Sequence, residues 1–278
     1  MAQNLATKYA SKVDERFNLA SMTEQATNQD YDWSGVATVQ VYGVDTVPLE
    51  DYTRSGTNRY GTVTELGTTL QELKLTKDRA FNFTVDRGNH SEEQMVTDAG
   101  KALRRQVDEK VIPEIDQHRI KVMADNATNT SDNNSALDSS NAYDSVLEMN
   151  EMLDNNKVPR PNRILFVTAK AFRYLKQDDS FLLASEMSQE VKFNGQVGEI
   201  DGNAVVKVPS SYMPDTDDTE MLLVHPSATV APKKIEDYKT HDNPPGINGW
   251  LVEGRLIYDA FVLSQKSDAL AKHDHGTS

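Results

Sequence analysis

Ser91–Ala124 reads SEEQMVTDAGKALRRQVDEKVIPEIDQHRIKVMA, and the fold follows from how this stretch is read. Val96, Ala99, Leu103, Val107, Val111, Ile115 and Val122 recur at helical spacing along one stripe. Met95, Ala102, Ile112 and Met123 widen it, and Lys101, Arg104, Asp108 and Lys121 lie between. The spacing predicts a long amphipathic helix. Ser91 with Gln94 three positions on fits a capping box, and Glu92 and Glu93 place negative charge where the helix dipole favours it. Pro113 removes a backbone donor and crowds the carbonyl of Glu109, so a kink or break is expected there. Unbroken, the helix spans roughly 50 Å, long enough to act as a strut.

Composition narrows the classes. A chain of 278 residues holds one large domain or two ordinary ones; 37% hydrophobic and 26% charged residues fit a folded protein with extended polar parts. With 29 basic and 43 acidic side chains the net charge is −14, which argues against a surface built to grip nucleic-acid phosphates. No cysteine is present, which excludes disulfides, thiolate chemistry and cysteine zinc sites. The first residues, MAQNLATKYASKVDERF, have no apolar core, and no run of about 18 apolar residues occurs anywhere. Neither a signal peptide nor a membrane span is expected, and the protein reads as one kept inside a cell.

Outward from the helix, residues 1–33 carry Leu5, Tyr9, Val13, Phe17 and Ala20 at helix-like spacing among many Asn, Gln and Thr. They read either as a partly helical arm or as a frayed terminus. The β-branched run from Val36 to Leu49 predicts a strand ended by Pro48, with LQELKLT and FNFTV as its return limb. Between the limbs lies EDYTRSGTNRYGTVTELGTT, rich in Gly, Thr and Arg and nearly free of aliphatic side chains. It cannot build a core, so it is either a floppy surface loop or an extended hairpin stable only on another molecule.

After the helix, DNATNTSDNNSALDSSN reads as a linker or exposed loop that buries nothing. From Tyr143 short elements alternate: a helix around Val146–Leu153, the turn-forming VPRPN, the strand ILFV and a helix through Ala171, Tyr174 and Leu175. Then come a hairpin punctuated by Gly198 and Gly202, the apolar strand MLLVH, and a rigid Asn243-Pro244-Pro245-Gly246 loop before a long strand. In that strand Trp250, Val252, Leu256, Tyr258, Ala260 and Val262 are expected to share a face.

Chemistry-bearing patterns are sparse. There is no Walker sequence, GxSxG elbow, HExxH or calcium loop. Gly195, Gly198 and Gly202 lack dinucleotide-binding spacing. His273 and His275 flank Asp274 in what reads as a polar tail, and Asp215, Asp217 and Asp218 read as a solvated loop. His225, ending an apolar strand, reads as structural. Arg104 and Arg105, with Lys101, are accounted for by salt bridges to Asp108 or Glu109, or by contact with packaged nucleic acid. No catalytic residue, metal site or cofactor is expected.

The order of parts, together with the phrases KVDERF, RSGTNRYGTVTEL, GKALRRQVDEKVIPEID, GQVGEIDGNAVVKVPSSYMP and THDNPPGINGWLVEGRLIYDAFVL, resembles the major capsid proteins of tailed bacteriophages over essentially the whole chain. The resemblance implies an α+β, HK97-like capsid fold. It implies an N-terminal arm (1–38), a strand and extended β-hairpin loop (39–90) and a peripheral domain (91–140 and 226–257) with spine helix 91–124. The axial domain and C-terminal tail would be 141–225 and 258–278. The loop would lie on a neighbouring subunit, with Asp51, Arg54, Gly56, Arg59, Tyr60 and Glu65 as expected contacts. Asn243, Pro244, Pro245 and Gly246 would form a second contact at a local threefold. It also implies self-assembly through pentamers and hexamers around double-stranded DNA bound without sequence specificity, with no membrane partner. Because the arm begins almost at Met1, a separate scaffolding protein or unaided assembly is implied, with a portal as a further partner. Assembly would occur in the host bacterial cytoplasm, yielding a virion capsid. Lys74 and Lys77 lie where some members cross-link covalently, but no such link is predicted here. The alternatives are an encapsulin-type nanocompartment shell and, unrelated, a metal-dependent hydrolase.

Overall fold

The computed structural model describes residues 21–28, 38–44, 46–86, 103–131, 136–177, 196–214, 219–242, 244–246 and 248–274. The chain divides into a small unit, Trp33–Leu75, and a large unit, Met1–Asp32 with Thr76–Ser278.

The small unit holds β1 (Thr38–Val44) and β2 (Thr68–Lys74), paired antiparallel from Thr38 opposite Lys74 to Val44 opposite Thr68. In the large unit, β3 (Lys77–Asp86) is followed by the spine helix, described from Leu103. A π turn at Val107–Val111 leads into α1 (Ile112–Asp125). Pro113 therefore neither breaks nor ends the helix. Immediately ahead of it the N–H of Ile112 reaches back to the carbonyl of Val107, one residue further than in an α-helix, so the wider turn takes up the mismatch. The part of the predicted helix at 91–102 lies outside the described residues.

Next come β4 (Asn129–Ser131), α2 (Ala142–Asn155), β5 (Ile164–Thr168), α3 (Ala169–Gln177), β6 (Gln196–Ile200), β7 (Asn203–Val208) and β8 (Met221–Val224). The chain closes with β9 (Thr229–Val230), β10 (Lys233–Asp242), β11 (Gly249–Tyr258), β12 (Phe261–Val262) and β13 (Leu270–His273). Six strands form one sheet in the order β4-β13-β8-β5-β7-β6. All five side chains of β5 and all four of β8 are buried, as continuous apolar runs require when helices cover both faces. Ile164, Phe166, Val206, Leu222 and Val224 share a cluster with Ile120, Met123 and Ala124 of α1. The alternate residues Leu165, Val167, Val205, Met221 and Leu223 share another with Val146, Met149 and Leu153 of α2 and Phe172 and Leu175 of α3. The hairpin β6–β7 turns at Asp201 and Gly202, both at positive φ.

The second sheet has the order β10-β11-β3. Val252, Leu256 and Tyr258 of β11, with Phe81 and Phe83 of β3, pack against Leu103, Val107, Val111, Ile112 and Ile115. One helix thus serves two sheets, the first half of its described length on the three-stranded and the second half on the six-stranded sheet.

Four expectations are corrected. FNFTV is not the return limb of the first strand: Phe81 and Phe83 pair with Gly254 and Val252, and β2 alone closes the hairpin. The polar stretch after the helix does bury residues, for β4 joins the six-stranded sheet at its edge and Leu137 is 2% exposed. The shared face of the long strand stops at Tyr258, because Asp259 interrupts it and Val262 pairs with Thr229 of β9. His273 is not in a solvated tail but is fully buried in β13.

Of the predicted arm, residues 21–28 are described, and they are not frayed. Ala26 is fully buried, and the N–H of Asn28 donates to the carbonyl of Thr229 at 2.7 Å. The buried carboxylate of Asp116 accepts from the hydroxyls of Ser21 and Thr23, each at 2.6 Å, and from the N–H of Met22 at 2.9 Å. Arg119, 1% exposed, donates to Thr23 Oγ1 at 3.2 Å and to Glu24 Oε2 at 3.0 Å, and Lys233 Nζ reaches Glu24 Oε1 at 2.9 Å. Burial pushes the Glu24 carboxyl up, but Arg119 and Lys233 outweigh it and hold it below the usual range.

Candidate functional site

Residues 46–67 of the small unit carry no described strand or helix, yet they are not shapeless. The N–H of Thr53 donates to the carbonyl of Arg59 at 3.0 Å, and Arg59 Nε donates to the carbonyl of Gly56 at 3.2 Å. The rings of Tyr52 and Tyr60 meet edge to face with centroids 5.1 Å apart. Glu50 folds back so that Oε2 accepts from the N–H of Thr62 at 3.1 Å. That return passes over Gly61, at φ +82°, where a Cβ would lie 1.5 Å from the same Oε2. A side chain there is strained by the backbone angle, and Glu50 would have to shift to admit it. Gly56, at φ +99°, has open space around it and is needed only for its backbone angle.

The surface of this unit is where apolar side chains face water. Leu49 and Val63 are 102% and 97% exposed and Tyr60 88%; Tyr42, Val44, Tyr52, Leu66 and Leu70 are more than half exposed. So much exposed apolar surface on one short segment makes it the candidate interaction site. The six residues expected at this contact, Asp51, Arg54, Gly56, Arg59, Tyr60 and Glu65, are all exposed, and Arg59 and Tyr60 also hold the local shape. Sequence reasoning passed over Leu49, Tyr52, Val63 and Leu66. Their signal was available, since each is a large apolar residue in a stretch with too few others to bury it.

In the second expected contact, Pro245 and Gly246 are exposed and Pro244 partly so, with Gly246 at φ +85°; Asn243 lies outside the described residues. The outer face of β10-β11-β3 behind it is polar. Arg255 grips Asp78 with two hydrogen bonds of 3.0 and 2.6 Å, and His241 lies 3.2 Å from Glu253.

Two of the remaining candidates, Arg105 and His225, have structural roles. Arg105 pairs with Glu109 at 3.3 Å, one helical turn on. His225 Nδ1 accepts from the N–H of Ser227, capping a short turn, and burial followed by the Arg163 charge pushes its pKa down. Asp215, Asp217, Asp218 and His275 lie outside the described residues. Among the described residues no group of three His, Asp or Glu is poised to hold a metal ion, and no helix is long and apolar enough to cross a membrane.

The model of a family described as phage capsid protein matches residues 71–272. A chain from Mycobacterium phage Che8 superposes with a TM-score of 0.64 at 20% identity, covering 91% of this chain and 90% of that one. A chain from the capsid of cyanophage P-SCSP1u gives 0.63 at 14% identity, covering 94% and 89%. A chain of a virus-like particle from Pyrococcus furiosus gives 0.56 at 9% identity, covering 98% of each. No curated protein matches by sequence.

Proposed function

The chain belongs to the phage capsid protein family, as a major capsid protein of a tailed phage with the HK97-like fold, and from that premise we propose how it builds a shell. Copies associate into pentamers and hexamers that close into an icosahedral shell around double-stranded DNA. The extended loop of each copy lies on a neighbour, and the Pro244–Gly246 turn supplies a second contact. Residues 91–140 and 226–257 act as the peripheral domain, and residues 141–225 with 258–278 as the axial domain. A scaffolding protein and a portal take part, and assembly occurs in the host bacterial cytoplasm.

One observation carries this reading: the apolar surface of the small unit, exposed at Leu49, Tyr60 and Val63, on a loop whose own hydrogen bonds already give it a shape. Burying those three side chains on a neighbour would contribute roughly 1.5–3 kcal/mol each, and many such modest contacts per shell close cooperatively. The net charge of −14 suits a container filled by a motor, since a wall that bound DNA tightly would oppose packing and release. Deleting Asp51–Gly67 should leave a folded subunit that forms no shells in electron micrographs. Normal shells from that variant would overturn the loop assignment.

The likeness to the Pyrococcus furiosus virus-like particle supports a second reading, a compartment without a genome. Nucleic acid inside particles purified from a native source supports the phage reading, and a protein cargo the other.

A further inference from the structure

Thr76 is the residue at which the chain re-enters the large unit after the loop. Its backbone N–H and its hydroxyl both donate to Oδ2 of Asp259, each at 2.8 Å. The other oxygen, Oδ1, lies 2.9 Å from Nε2 of His118 on α1 and accepts from the N–H of Ala260, also at 2.9 Å. Asp259 is 5% exposed, and its own N–H donates to the carbonyl of Pro232. Four donors from three separate places in the fold therefore meet on one buried carboxylate, which uses essentially its whole accepting capacity. Burial pushes this carboxyl up, but the hydrogen bonds from His118, Thr76 and the Ala260 N–H outweigh it and hold it below the usual carboxylate range. Through the mildly acidic and neutral range it stays ionised.

Among the described residues, the titratable groups around His118 are few. Asp259 meets its Nε2, and the ring of Tyr258 stands edge-on at 5.7 Å. Glu114, one turn earlier on the helix, accepts from the Tyr258 hydroxyl at 2.9 Å and from Arg79 of β3 at 2.7 Å. Asp259 is thus the group on which both the helix imidazole and the re-entry residue depend.

We propose that Asp259 is a positioning residue that couples the spine helix to the re-entry point of the loop, so that a change at His118 is felt at Thr76. The proposal concerns the large unit alone and does not depend on where the loop docks. Protonation of His118 is a reversible way to perturb one side of the carboxylate, because it replaces a neutral donor to the ionised Asp259 by a charged one.

The test is a pH titration of the full-length protein by NMR, following the His118 ring and the Thr76 amide together. The Thr76 resonance should move with the same midpoint as His118, and its exchange, corrected for intrinsic chemistry, should change across the same transition. In His118→Gln, which keeps a neutral donor, Thr76 should remain protected but show no transition there. Asp259→Asn should abolish the transition and raise exchange at Thr76 above wild type at every pH. A Thr76 signal that ignores the His118 transition, or one that keeps its transition in His118→Gln, overturns the proposal. Should Asp259→Asn fail to fold, the wild-type and His118→Gln titrations decide alone.

Discussion

The six-stranded sheet and the extended loop place their apolar residues in opposite ways. In the sheet, Leu165, Phe166, Leu222 and Leu223 are fully buried between helices; in the loop, Leu49 and Val63 are almost fully in water. The loop is nevertheless ordered, through Glu50, Gly61 and the Tyr52–Tyr60 contact. Burial in the first region supports the fold of one chain. Exposure in the second leaves a free-energy gain unrealised in the single chain, which the proposed contact with a neighbour would realise. Substitutions should therefore separate into those that unfold the subunit and those that spare the subunit and abolish the shell.

The largest effect on the subunit is expected from Phe166→Ala. This side chain sits at 0% exposure in the middle of β5, against α1, and its removal leaves a cavity that close packing cannot fill. A loss of about 3–5 kcal/mol is expected in urea unfolding. A much smaller loss would mean that the sheet, like the loop, relies on neighbours.

Next is Asp116→Ala, which removes the acceptor of Ser21, Met22 and Thr23 beside the buried Arg119. Removing one partner of a buried charged network costs on the order of 3 kcal/mol. The effect should concentrate where residues 21–28 meet α1, and proteolysis there would report it. The same network predicts an acid sensitivity. Because Glu24 is held below the usual carboxylate range, its contribution is fully present above that range and is lost as pH falls through its folded-state value. Glu24→Gln should flatten that part of the stability profile.

Gly61→Ala tests the loop on its own terms. The new Cβ would meet the Glu50 carboxylate at a backbone angle that only glycine adopts readily, so about 1–3 kcal/mol of local strain is expected. Because the loop lies outside the cores, the melting temperature of the subunit should hold while shell yield falls. Since the near atom is the end of a flexible side chain, Glu50→Ala should restore part of the yield by removing the clash.

Much of this architecture is legible because it is local. The stripe Leu103, Val107, Val111, Ile115 predicts the face that packs on β11 and β3, and ILFV and MLLV announce strands covered on both sides. What escapes the sequence is pairing at a distance. FNFTV reads as a hairpin limb by its alternation, yet its partner is Gly249–Tyr258, and nothing within FNFTV encodes that choice. β4 escapes because Asn129–Ser131 lies on a sheet edge, where strands need few apolar residues. The bond from Ser21 to Asp116 spans 95 positions, and an aspartate on a helix reads as solvated until its partners are seen. The loop is a mixed case: its want of a core is plain in the sequence, and that same want leaves Leu49, Tyr52, Val63 and Leu66 nothing to be buried against, a signal the sequence carries but the reading passed over.

The smallest effect on the subunit is expected from the double substitution Leu49→Ser, Val63→Ser, and it divides the two regions most sharply. Both side chains already contact water, so replacing them removes no buried area from the single chain, and stability should stay within about 0.5 kcal/mol of wild type. In the shell each would be buried against a neighbour, and losing both from every copy weakens every such contact at once. Sedimentation should then show the minimum concentration for assembly rising, with subunit melting unchanged. If instead the subunit melts earlier, the loop is packed against its own chain in solution. If neither quantity moves, the apolar surface of the loop is not the contact, and the shell must be held through the Pro244–Gly246 turn and the polar outer sheet.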